Sequence, residues 1–170
     1  MRKLLYIALF SLVFSLMPLK AEEASDVLGF WKTMDSKETF TTSIMVVYQF
    51  EGKLYGRVIV SYSEKDGRLL ETWQNPIQRI DKLSNKPYLL ATDIFWGHTV
   101  EGKMWSGGRV LDPRTGYNYK SDIWVENNKL VVKGKFGPFG VRQLFHKAYS
   151  YDMPLGLPFP NPVKFIPSPP

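Results

Sequence analysis

Few residues in this chain could do acid–base, nucleophilic or metal chemistry, and they are far apart. The only imidazoles are His98 and His146, and there is no cysteine. A transition-metal site built from side chains needs several His or Cys ligands at close spacing, so no metal and no cofactor is expected. The acidic pair Glu22-Glu23 sits near the N-terminus. No Gly-rich phosphate loop and no Gly-x-Ser-x-Gly elbow occurs. His146 falls in an alternating run beside Lys147 and reads as a wall or surface histidine. Asp112 precedes Pro113 and reads as a turn former rather than an acid catalyst. Gly107-Gly108 lies inside a strand-like run, so it reads as a bulge or close-packing site rather than a phosphate cradle. The expected protein is not an enzyme.

Aromatic content is the stronger signal: five Trp, nine Tyr and eleven Phe make up 15% of the chain. Set on alternating strands, some of them fill a core and others line a cavity. Tyr48, Val58, Tyr62, Phe95, Trp105, Tyr119 and Ile123 are the expected ligand-lining set. Tyr48, Tyr62, Tyr119 and Gln143 would bring polar tips to an otherwise apolar wall, which is the usual form of a small-molecule site. A solid core whose polar tips find backbone partners is the competing reading.

These side chains must be positioned by strands, because the chain shows short alternating runs punctuated by turn residues and no long helical pattern. Expected strands cover 28–34, 40–50, 54–62, 88–96, 103–111, 117–125, 129–136 and 141–149. On 40–50, the even-numbered residues from Phe40 to Phe50 share a face; on 54–62, Leu54, Val58, Val60 and Tyr62 do. Tight turns at Glu51-Gly52-Lys53, Asp112-Pro113-Arg114-Thr115-Gly116, Glu126-Asn127-Asn128 and Gly137-Pro138 join successive strands as hairpins. Eight strands in hairpin order expose two edges unless the sheet closes. The expected fold is therefore all-β, an up-and-down antiparallel barrel of about eight strands, with a two-sheet sandwich as the alternative.

The ends differ from this body. Arg2 and Lys3, the apolar run 4–17 and a small residue at Ala21 before acidic Glu22 describe a signal peptide over 1–21, and so a periplasmic or secreted protein. The apolar run is shorter than the roughly 20 residues of a spanning helix. Without cysteine the chain cannot be a lipoprotein. Removing the first 21 of 170 residues takes Arg2, Lys3 and Lys20 with it, leaving 19 basic against 16 acidic residues, a net of +3 rather than +6. The charges are scattered, and Lys129, Lys133 and Lys135 read as a solvated outer face, so no nucleic-acid partner is expected. The barrel is expected over 22–150. Residues 151–170 hold seven of the twelve prolines with Leu155, Leu157, Phe159, Val163, Phe165 and Ile166. They read as an apolar extended arm that lies on the barrel wall or on a protein partner.

Gly29-Phe30-Trp31, Tyr55-Gly56-Arg57-Val58-Ile59, Asn75-Pro76, Trp105, Gly107-Gly108, Asp112-Pro113, Gly116, Tyr119, the run 130–134 ending in Gly134, and Gly140 to Gln143 follow one another in an order that resembles a family of exported bacterial proteins classed as a domain of unknown function. Its members look like lipocalin-type, or calycin, barrels, and the similarity spans roughly residues 27–147. The resemblance implies that Gly29 and Trp31 plug one barrel end, with Arg142 or Lys147 packed over the Trp. It departs at Phe145, where the family tends to carry Trp, and at Tyr88-Leu89-Leu90-Ala91, where a Gly is expected. The implied function is binding of a small hydrophobic or amphipathic ligand of the fatty-acid or lipid class. The alternative is a protein-interaction module with a filled barrel.

Overall fold

The computed structural model describes residues 23–170; the expected signal peptide lies outside the described residues. Hairpin turns between alternating runs produce nine strands: β1 (Gly29–Met34), β2 (Thr41–Phe50), β3 (Lys53–Tyr62), β4 (Leu69–Thr72), β5 (Asp93–Glu101), β6 (Met104–Leu111), β7 (Asn118–Glu126), β8 (Lys129–Phe136) and β9 (Phe139–Lys147). All pairings are antiparallel, and β1 meets β9, so β1–β3 and β5–β9 close an eight-stranded barrel. The ninth strand, β4, is a short flap on the far half of β3. Closure joins the two end strands of the meander only through Trp31 opposite Lys147 and Lys32 opposite His146, so it covers part of the edges that an open meander would carry.

Two details differ from the expectation. The strand expected at 88–96 runs instead from Asp93 to Glu101, and Leu89–Ala91 is a 3-10 turn. The apolar run there is tied to the crossover loop, because the Leu89 amide donates to the Gln78 carbonyl and the Thr92 hydroxyl to the Tyr88 carbonyl. Gly97, just past the expected strand, lies within β5 at φ +77 at a register skip against β3, and Gly107 at φ +76 makes a similar skip of β6 against β7. Only glycine enters this region without strain. Each bulge consumes one extra residue, so Phe95 and His98 on β5, and Trp105 and Gly108 on β6, all face inward.

The barrel interior is one apolar cluster of Val27, Trp31, Met45, Val47, Leu54, Phe95, Trp105, Ile123, Val125, Leu130, Val132 and Phe145. A second cluster lies outside, against β1–β3: Ile44, Val46, Tyr48, Ile59 and Val60 are covered by Ala148 and Met153 and by Leu157, Phe159 and Phe165 of the proline-rich segment. Strand β2 is thus buried on both faces, inward through Met45 and Val47 and outward through its even-numbered residues. Phe159 stacks on Phe30 with ring centroids 4.0 Å apart, and Phe165 packs on Tyr48 at 5.4 Å. Lys32 pairs with Asp152 at 2.5 Å. Beside the point where β5 leaves β3, the Asp93 amide donates to the Ser168 carbonyl and the Ser168 amide donates back to Asp93 Oδ2. The arm lies on its own barrel, in an extended form that brings backbone to the wall.

Candidate functional site

Trp31 and Trp105 seal one end. Both side chains are buried, and their indole nitrogens donate to the carbonyls of Val27 (2.8 Å) and Ala24 (2.7 Å) in the 3-10 turn Ala24–Val27 that crosses the opening. The Lys147 ammonium sits 4.4 Å from the Trp31 ring centre. Burial there lowers the Lys147 pKa, against the opposing pull of Asp26. A cation over an indole face is favourable, and more so when desolvated. Lys147 is therefore the basic partner of the plug. Arg142, its rival in the sequence, points outward, pairs with Glu126 and lies over Trp124.

Above the plug the interior is filled. Phe95, His98, Ile123 and Leu130 are fully buried. The His98 ring packs edge-on to Phe95 at 5.8 Å, and its Nε2 lies 2.8 Å from Ser121 Oγ. Gly108 makes room for it: a Cβ on Gly108 would come within 2.3 Å of the imidazole. Burial pushes the His98 pKa down to about 4, although Asp122 and the Leu54 backbone favour the charged form. His98 is thus a neutral core group. His146 is on the outer face, 3.6 Å from Glu38. The two histidines do not converge, and no group of three metal-ligating side chains occurs among the described residues.

At the other end the wall stays open. Strand residues two apart share a face, so Gly134 and Phe136 continue the inward face of Val132. Likewise Gln143, Val141 and Phe139 continue that of Phe145. Yet Phe136, Phe139 and Val141 are 66%, 75% and 74% exposed. Tyr119 stands beside them, edge-on to Phe136 at 6.0 Å, and Val110 lies opposite it in register. The facing wall is polar: Thr33, Ser43 and Ser61 come from the matching inward positions of β1, β2 and β3. The Thr33 hydroxyl lies 2.7 Å from both Thr42 Oγ1 and Ser43 Oγ. One side of the mouth is apolar, the other hydroxyl-bearing. Two open surface depressions of about 420 and 400 Å³ lie elsewhere, one near Met104 and Trp124 at the plugged end and one between Trp73 and Phe165 beneath the arm.

Against this geometry the expected lining set divides. Phe95, Trp105 and Ile123 face inward but are buried core, Val58 faces inward beside Met45, and Tyr119 is at the open mouth. Tyr48 and Tyr62 are corrections: both face outward beneath the arm. Tyr48 belongs to the outward set of β2. Its hydroxyl donates to Asp93 Oδ1 at 2.9 Å, where Arg57 Nε also donates at 3.0 Å, and burial together with Asp93 pushes its pKa up. Tyr62 was placed with Leu54 and Val58, but a bulge at Ile59 pairs Val58 with Met45 and Val60 with Ile44. Everything beyond it switches faces. The Tyr62 hydroxyl donates to the Asp152 carbonyl at 2.9 Å, and burial, helped by Asp152, pushes its pKa up to about 12. Phe136, Phe139 and Val141 were missed as mouth residues; period-two counting outward from Val132 and Phe145 was the signal that pointed to them.

The sequence profile of a family described as an uncharacterized protein conserved in bacteria (DUF2147) matches residues 29–147. Among solved structures the chain is similar to HP1028 from the human pathogen Helicobacter pylori, described as belonging to the lipocalin family. The two are 16% identical, the match covers 74% of this chain and 84% of that one, and the TM-score is 0.55. At that identity the likeness shows a shared fold. No curated protein matches the sequence significantly.

Proposed function

The chain belongs to the bacterial DUF2147 family, and within its lipocalin-like barrel we propose that the open mouth takes up a small hydrophobic or amphipathic ligand without catalysis. The observation that carries this reading is the run of exposed apolar side chains, Phe136, Phe139 and Val141, at positions that continue the interior wall. Large apolar groups left in water mark an interaction site more often than chance exposure. The filled lower half confines the ligand to the upper half, where the hydroxyls of Thr33 and Ser43 face the apolar side. That pairing suits a molecule with an apolar body and a polar head, such as a fatty acid. Use of the arm to capture a protein partner is the weaker reading, since Phe159 and Phe165 are already packed on Phe30 and Tyr48.

We propose further that residues 1–21 are removed as a signal peptide and that the protein works in the periplasm or outside the cell. Native mass spectrometry of protein from its own host tests both ideas. The expected spectrum shows an N-terminus at Glu22 and a lipid-sized adduct. A mass retaining the leader would overturn the first idea. For the second, Gly134→Leu places a side chain against Val110 and Tyr119, which a Cβ at Gly134 already approaches to 3.5 and 3.9 Å. Binding of a fluorescent fatty-acid analogue should weaken about tenfold, or 1.4 kcal/mol. Equal binding by this variant would remove the mouth as the site.

A further inference from the structure

The outward face of β6–β9 carries an arrangement that folding alone disfavours. Arg109 is opposite Lys120, Lys120 is opposite Lys135, and Lys133 is opposite Arg142. Like charges directly opposite on neighbouring strands repel, and here three such pairs adjoin. Only part of the charge is matched: Lys135 pairs with Asp122 at 2.6 Å and Arg142 with Glu126. Arg109, Lys120 and Lys133 have no ion pair among the described residues. The row leads to the β8–β9 turn, where Phe136, Gly137, Pro138 and Phe139 are all exposed and Val141 follows.

We propose that this hairpin docks the barrel mouth on an anionic bilayer surface. Phe136, Pro138 and Phe139 would enter the headgroup region while Arg109, Lys120, Lys133 and Lys135 meet lipid phosphates. Apolar tips with a basic collar hold peripheral proteins at membranes, where buried apolar area and attraction to anionic lipid add together. Long Lys and Arg side chains reach phosphates while their stems stay beside the apolar tip. The tip is aliphatic and phenyl, with no donors or acceptors for base edges, which favours lipid over nucleic acid. Docking here sets the mouth against the lipid source, so the inference rests on the ligand reading for its purpose. The docking itself is measured without a ligand.

Co-sedimentation with vesicles of phosphatidylglycerol and phosphatidylcholine, compared with pure phosphatidylcholine, tests it. The full chain should partition onto the anionic vesicles, stay free of the neutral ones, and be released by high salt. Phe136→Ser with Phe139→Ser should lower partitioning about tenfold or more, and Lys120→Glu with Lys133→Glu should lower it to the neutral-vesicle level. Lys120, Phe136 and Phe139 are exposed and Lys133 is half-buried, so both variants should stay folded, which circular dichroism checks. The charge-reversed variant should still bind the fluorescent fatty-acid analogue, which separates failure of docking from failure of the mouth. No partitioning by the wild-type chain, or wild-type partitioning by either variant, would overturn the proposal. Retention by a nucleic-acid oligonucleotide that the aromatic substitutions leave intact would overturn it in favour of a nucleic-acid surface.

Discussion

His98 shows how one buried group can set the response of the whole fold to acid. Its ring is enclosed by Phe95, Ser121 and Gly108, and burial holds its pKa near 4. In the unfolded chain it titrates near 6.5. Between those values the unfolded chain binds a proton that the folded chain does not. Stability is therefore full above about pH 6.5, falls as the pH drops towards 4, and then stops falling on this account. The full effect is of the order of 3 kcal/mol. Urea unfolding of the wild type at pH 7 and pH 4.5 should show the loss, and His98→Asn should flatten the difference even if it is less stable at both. An unchanged slope in the variant would assign the acid sensitivity to carboxylates. In the sequence, His98 stood out only as one of two imidazoles. Its burial depends on a bulge at Gly97 and a bare Cα at Gly108, which alternation alone does not reveal.

Among the elements, the hairpins were legible and the faces were not. Turn residues at Gly52, Gly116, Asn127 and Gly137 mark the hairpins because few residues tolerate those backbone angles. The meander followed from that spacing and its closure from the need to cover two edges, whereas the Trp31 plug came only from the resemblance to lipocalin-type barrels. The face assignments failed at Tyr48 and Tyr62 for two separate reasons. Strand β2 is apolar on both sides because the arm covers its outer face, so alternation could not distinguish inside from outside. Strand β3 switches faces at Ile59, which no residue type announces. The arm is thus a structural element of the fold. Deleting residues 151–170 would expose Ile44, Val46, Ile59 and Val60 and leave the buried Arg57–Asp93 pair open at Ser168. Uncovering several apolar side chains at about 1.5–3 kcal/mol each should produce early melting, dye binding to exposed apolar surface and aggregation. A truncated chain that melts with the wild type would show the packing to be incidental.

For the whole molecule, the weakest part of the closure is the seam where β1 meets β9. Only Trp31 opposite Lys147 and Lys32 opposite His146 are in register, with one further bond from the Ala148 amide to the Phe30 carbonyl. Strand β1 runs on beside β2, and β9 from Phe139 to Phe145 has no strand on its outer edge among the described residues. Backbone amides held by few neighbours open first. Hydrogen exchange should therefore be faster along the outer edge of β9 than in the inner strands β2 and β7. Uniform protection around the barrel would contradict this. The plugged end and the open mouth thus differ in stiffness as well as in accessibility. A cylinder joined at its base and slit along part of one side can yield only at the slit, because β8 stays laddered to β7 as far as Lys120 opposite Lys135. Any widening of the rim is therefore confined to the gap between β1 and β9, and the other seven strand junctions keep their spacing.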